Sequence, residues 1–171
     1  MELSEIQNKI LEPFVAQTII ALNTMAGFKA TAGAGFKDDP LNFKFKGYAV
    51  VAETSGAIEG KILMHHYPET ALAIGNQVRC LVLGETSEAV ELNSDIGEAL
   101  TEFGNTAIGL ATRSLTRANL GVRFRPPYLT SNMEDMITLL MYVDEILSIP
   151  IHVENVGRFY FNYLLHAKIG R

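Results

Sequence analysis

Only one cysteine, Cys80, occurs among the 171 residues, so no intramolecular disulfide can form and a cross-linked secreted scaffold is excluded. A chain of this size buries roughly 70% of its unfolded surface on folding and needs no such staple. One domain over residues 1–171 is therefore expected. Long apolar runs are missing too: the stretches at 19–22 and 137–143 fall far short of the ~20 residues a bilayer span requires. Basic residues are outnumbered, 14 Lys and Arg against 19 Asp and Glu, for a net charge of -5. They are also scattered, so nothing is built to neutralise phosphates and nucleic acid is not an expected partner. The opening Met1-Glu2-Leu3-Ser4-Glu5 places acid where a signal peptide carries base, which points to a reducing cytoplasm rather than to export. Low-complexity tracts are absent. Thr31-Ala-Gly-Ala-Gly35, running into Lys37-Asp-Asp-Pro40, reads as a loop, and its glycines lack the third member of a dinucleotide fingerprint.

What is present is a clear succession of periods. Over residues 4–25, Ile6, Ile10, Phe14, Val15, Thr18, Ile19 and Leu22 recur at three and four, with Gly27 as a stop; Pro13 either opens the main helix or kinks a longer one. Alternation over 42–51 predicts a strand with Phe43, Phe45, Gly47, Ala49 and Val51 on one side. A second strand over 58–65 pairs back on it across Ser55-Gly56. Pro68-Glu69 opens a helix carrying Leu72, Ile74, Val78 and Leu81, with Cys80 expected among its core residues and Gly84 as its end. Asn93 or Ser94 caps a second long helix through Leu110 and beyond, followed by a strand at 122–125 that Pro126-Pro127 breaks. A short helix over 133–142 precedes a final strand pair, 146–153 and 158–166, joined across 154–157. The halves read alike, each a long helix ending near a glycine (Gly27, Gly121) and then antiparallel strands, which suggests an internal duplication.

The second long helix carries the candidate chemistry. At 100° per residue Ile96, Leu100, Phe103, Ala107 and Ala111 form its buried stripe. Glu98, Glu102, Asn105, Gly109 and Thr112 form a polar line on the opposite face. Glu102 can meet a cation, while Asn105 offers a donor and an acceptor together, a combination suited to positioning a water. The bare Glu-x-x-Asn spacing is common, and Glu5-Ile6-Gln7-Asn8 repeats it at a solvated helix start. Elsewhere, His65 and His66 are adjacent on a strand and face opposite ways, His152 and His166 lack partners at ligand spacing, and no metal site is expected. Arg113 and Arg117 read as partners of the helix dipole.

Glu98-Ala-Leu-Thr-Glu102-Phe-Gly-Asn105-Thr-Ala-Ile-Gly109 resembles the signature helix of the CheC and CheX chemotaxis phosphatases, Glu-x-x-Asn-x-x-x-Gly. The stretches Glu12-Pro-Phe-Val-Ala-Gln-Thr-Ile-Ile-Ala-Leu-Asn-Thr-Met-Ala-Gly27 and Thr54-Ser-Gly-Ala-Ile-Glu-Gly60 are similar to the opening helix and central hairpin of CheX proteins. The segment 133–142 looks like an addition. The resemblance implies an α/β (α+β) CheC-like fold: two pseudo-symmetric helix-plus-hairpin units around a largely antiparallel sheet, with the long helices packed on it. It implies hydrolysis of the aspartyl phosphate of a CheY-type receiver domain, Glu102 contacting the receiver and Asn105 entering its active site to orient the attacking water. Glu98, Gly109 and Thr112 would complete the docking face. No cofactor of the chain's own is implied, because the receiver supplies the phosphorylated aspartate, a lysine and Mg2+. Two departures stand out. Glu98 occupies a position where the family commonly has aspartate or serine, and the opening helix has Lys9 and Glu12 where a second site would fall. One site per chain and a CheX-like homodimer are therefore expected. The rival readings are a non-catalytic module that docks on a receiver or other signalling partner, and a small-ligand sensor.

Overall fold

Ser4 accepts a hydrogen bond from the Gln7 amide while the Gln7 side chain accepts from the Ser4 amide, and this reciprocal cap starts α1 (Glu5–Ala26) in the computed structural model, which describes residues 4–166. The helix runs through Pro13 as one element and stops at Gly27, whose φ of 69° suits a residue without a β-carbon. Leu11, Phe14, Leu22 and Met25 bury its inner face, and the Thr18 hydroxyl is satisfied by the Phe14 carbonyl at 2.7 Å.

Among the described residues the sheet has eight antiparallel strands. β3 (Tyr48–Gly56) and β4 (Gly60–His66) form one long hairpin, and β7 (Val143–Val153) and β8 (Gly157–His166) form another. The two join where β4 pairs β8, for example Ile62 opposite Tyr163. Two short strands follow each long helix and pair with the far hairpin. β1 (Ala30–Ala32) and β2 (Phe36–Asp38), after α1, lie on β7; β5 (Val122–Phe124) and β6 (Tyr128–Thr130), after α3 (Ser94–Arg117), lie on β3. The strand exchange makes the two units topologically equivalent, which gives the expected duplication a structural form.

The helices divide between the two faces of the sheet. α1, α2 (Pro68–Leu81) and α3 pack on the face bearing Val50, Ala52, Ile62, Met64, Phe161 and Tyr163, where the main core lies. The other face bears Ala49, Val51, Leu63, Ile146 and Leu164 and is covered by Met136 and Leu139 of α4 (Met133–Leu140), together with Phe43 and Phe45. The segment 133–142 thus occupies the place in its unit that the Phe43–Phe45 loop occupies in the other.

Five expectations are corrected, the first being that the stretch 31–40, read as a loop, carries part of β1 and all of β2, which become strands by pairing with β7. The strand read over 42–51 begins only at Tyr48, because Gly47, at φ 123°, breaks the extended run and the Lys46 amide donates to His65 Nε2 at 2.8 Å instead of to a neighbouring strand. Phe43 and Phe45 still lie on the predicted side, each with its ring 5.4 Å from that of His65. β6 was not anticipated. α3 ends at Arg117 and the chain turns out of it at Asn119, φ 62°, two residues before Gly121, with the Leu120 amide reaching back to the Leu115 carbonyl at 2.8 Å. Cys80 is exposed, since Ala71, Ile74 and Val78 define the buried face of α2 and position 80 lies some 200° from position 78. His65 and His66 do face opposite sides of the sheet, and both are fully buried. Burial pushes their pKa values down, to about 4 for His65 and about 3 for His66. Among the described residues no helix is long and apolar enough to cross a membrane.

Candidate functional site on the third helix

The Asn93 side chain accepts from the Ile96 amide at 3.0 Å and starts α3. A buried arginine fixes the approach to that start. Arg79, at the end of α2, lies 3.6 Å from Asp95 and donates to Asn76 and to the Ser87 carbonyl, each at 3.4 Å, while Asn76 also brackets Ala89 through its amide and carbonyl at 2.9 Å. No local pattern marked Arg79; it became visible only as a charge enclosed between two helices and a loop. Farther along, Gly75 of α2 admits Ile96, and a β-carbon on Gly104 would stand 2.9 Å from Val50 Cγ1. Small residues thus let α3 lie close on both α2 and the sheet.

The predicted stripe is buried throughout: Ile96, Leu100, Phe103, Ala107 and Ala111 are all at 0% exposure. On the outer face Glu98, Glu102 and Asn105 are exposed and carry no hydrogen bond or ion pair among the described residues. Glu102 and Asn105, three apart, present their β-carbons roughly 5–6 Å from each other on one helical row. The polar line does not continue as expected. Gly109 is half-buried, with Phe124 of β5 at 3.6 Å from where its β-carbon would be, and Thr112 is buried with its hydroxyl donating to the Gly109 carbonyl at 3.0 Å. Thr112 therefore drops out of the exposed polar line, which consists of Glu98, Glu102 and Asn105 with Gly109 at its margin.

Electrostatics single out the same region. Residues 80–112 include Glu85, Glu88, Glu91, Asp95, Glu98 and Glu102 but no lysine, arginine or histidine, so the acidity of the whole chain is concentrated around the start of α3. Such a field favours a partner with a basic face and speeds its encounter. Among the described residues no group of three His, Cys, Asp or Glu side chains is placed to hold a metal ion. α4 packs on the far side of the sheet, so the added segment leaves Asn105 uncovered.

Two helix-bearing units exchanging short strands across one antiparallel sheet, with an acid–amide helix face turned outward, define a CheC-like protein. The family model for chemotaxis phosphatase CheX matches residues 48–151, and the chain belongs to that family. Solved structures agree in fold. A CheX from Desulfovibrio desulfuricans is 20% identical, with 92% of this chain and 99% of that one covered at a TM-score of 0.72. A CheX from Vibrio vulnificus is 18% identical over 91% and 98%, with a TM-score of 0.71. The CheX of a CheX–CheY–BeF3–Mg2+ complex from Borrelia burgdorferi is 20% identical over 92% and 98%, with a TM-score of 0.70. No curated protein matches the sequence.

Proposed function

We propose that this protein hydrolyses the aspartyl phosphate of a CheY-type receiver domain, with Asn105 orienting the attacking water and Glu102 contacting the receiver. The observation that carries the reading is the pair itself: a carboxylate and a carboxamide side by side, exposed and unpartnered on the outer face of α3. Membership of the CheX family and the fold shared with a CheX solved in complex with CheY support it.

The chemistry asks little of the phosphatase. Water adds to phosphorus as the bond to the aspartyl oxygen breaks, releasing inorganic phosphate and restoring the receiver's carboxylate. The barrier is lowered mainly by alignment and by charge already placed around the phosphoryl group. The Asn105 side chain meets the first need by accepting from the water through Oδ1, or by donating to it or to a phosphoryl oxygen through Nδ2. Mg2+ and a lysine belong to the receiver in this scheme. Glu102, with Glu98 one turn earlier and Gly109 at the margin, supplies the surface that a basic receiver face meets. The reading carries with it a cytoplasmic site of action and a homodimer joined through sheet edges, which sedimentation analysis would test.

The deciding experiment is phosphate release from acetyl-phosphate-charged receiver domains of the source organism, with the protein far below receiver concentration. Multiple turnovers by the wild type that vanish in Asn105→Ala are the expected result. Binding without any acceleration would instead make this a receiver-docking module.

A further inference from the structure

Beside Glu102, α3 forms one side of an open cleft of about 850 Å³, bordered by Tyr48 at the start of β3, Leu92 in the loop before α3, and Leu129 of β6. Its size is that of a ligand pocket. Leu92 and Leu129 are its apolar lining residues, and Ser94, Gly97, Glu98, Thr101 and Glu102 line the helix side. Tyr48 supplies the decisive group. The residue is only 5% exposed, and its hydroxyl, which keeps access to solvent, forms no hydrogen bond among the described residues and is free to meet a ligand. That oxygen lies 3.3 Å from where a β-carbon on Gly97 would be, so the missing side chain at 97 leaves the phenol facing the cleft. Burial raises its pKa, which keeps the group a neutral hydroxyl.

The lining defines what fits. Two carboxylates, a phenol oxygen, the neutral polar Asn93, Ser94, Thr101 and Ser131, and the apolar Leu92 and Leu129, with no cation among the lining residues, match a long side chain having an aliphatic stem and a donor-rich positive head, best an arginine. Gly97 precedes Asn105 by eight residues, about 12 Å along the helix axis. An interface of ordinary size spans roughly 30 Å, so a receiver centred on Asn105 covers the cleft.

We propose that the Tyr48–Gly97 cleft receives a cationic side chain, preferably arginine, from the docked receiver, its head group meeting the Tyr48 hydroxyl and Glu98, and that it thereby selects which receivers are accepted. This rests on the reading of α3 as the receiver-docking helix. Two variants probe it without touching Glu102 or Asn105. Tyr48→Phe removes only the oxygen. Gly97→Ala fills the mouth with a methyl, 3.0 Å from the movable end of Leu129.

Initial phosphate-release rates against receiver concentration separate the roles. Tyr48→Phe and Gly97→Ala should each raise KM about tenfold with kcat held within twofold, whereas Asn105→Ala lowers kcat. In addition, one receiver arginine or lysine, changed to methionine, should raise KM for the wild type and leave KM for Tyr48→Phe unaltered. An active wild type whose KM is indifferent to both cleft variants, or a receiver in which no cationic residue couples to Tyr48, overturns the cleft and leaves the phosphatase reading standing. If the wild type releases no phosphate, fluorescence titration with the same receivers charged with beryllofluoride decides. About tenfold weaker binding by both variants upholds the cleft although the phosphatase reading has failed; unchanged affinity, or no binding by the wild type, overturns the cleft.

Discussion

Gly104 and Val50 meet where α3 crosses the sheet: a β-carbon on Gly104 would stand 2.9 Å from Val50 Cγ1 and 3.3 Å from Met64 Sδ. Val50 and Met64 are fully buried and stiffly surrounded, so the helix would have to lift. Gly104→Ala is expected to cost up to about 2 kcal/mol, an overpacking penalty of roughly 1–3 kcal/mol less the ~1 kcal/mol of helix propensity that alanine regains. Asn105 is the next residue, and the same lift should lower kcat more than it raises KM. Urea unfolding beside receiver-dephosphorylation kinetics checks both; a variant as stable and active as the wild type would mean that α3 does not depend on this contact.

Gly109 makes the opposite case within the same helix. Its would-be β-carbon meets Phe124 at 3.6 Å, an ordinary van der Waals distance, so alanine fits without displacement. Gly109→Ala should therefore be neutral or stabilising by up to about 1 kcal/mol. A loss of receiver affinity in that stable variant would locate the requirement for glycine at the partner surface. Unchanged affinity would remove Gly109 from the docking face altogether.

Arg79 and Asp95 form an unequal pair. The arginine side chain is 8% exposed and the aspartate 60%, at a separation of 3.6 Å. Removing the exposed carboxylate in Asp95→Ala forfeits a screened interaction and should cost under about 1 kcal/mol. Arg79→Ala also abandons the contacts to Asn76 and the Ser87 carbonyl and empties a buried volume, for an expected loss of about 1–3 kcal/mol. Thermal melts of the two variants should rank in that order, and equal losses would show that the ion pair itself holds the loop before α3.

Periodicity made α3 readable because its packing is continuous along one stripe: every residue from Ile96 to Ala111 assigned to the core is there. It failed at Thr112, which lies on the same wheel position as Asn105. Solvent exposure there is decided by β5, a neighbour remote in sequence, whose Phe124 reaches Gly109. β6 was illegible for a related reason. Its three residues form a strand only because Val50 and its neighbours offer a free edge, and nothing local encodes that edge. The alternation over 42–51 did encode which side chains face the sheet, but the Lys46 amide found an imidazole partner in place of a ladder. Of the site, the Glu102–Asn105 pair was legible from spacing and family resemblance, whereas the Tyr48–Gly97 cleft joins segments nearly fifty residues apart and had no sequence signal.

His66 makes acid stability a test of the buried core. Its ring stacks on Phe159 at 4.5 Å, and neither ring nitrogen has a hydrogen-bond partner among the described residues. Burial first, and the neighbouring His65 second, lower its pKa from 6.5 to about 3. Between those values the unfolded chain binds a proton that the folded chain refuses. Stability from this group is therefore complete above pH 6.5, and is lost progressively as the pH falls toward about 3. At pH 5 the loss is on the order of 2 kcal/mol. His65, whose pKa is lowered to about 4, adds a similar amount over a narrower range. Carboxylates titrate in part of the same window, so the informative quantity is the difference between variants. His66→Leu keeps the site apolar and cannot bind the proton, and any change in packing shifts its stability equally at both pH values. The drop in urea-unfolding free energy from pH 7 to pH 5 should be about 2 kcal/mol smaller in His66→Leu than in the wild type, and an identical drop would assign the acid sensitivity to other groups.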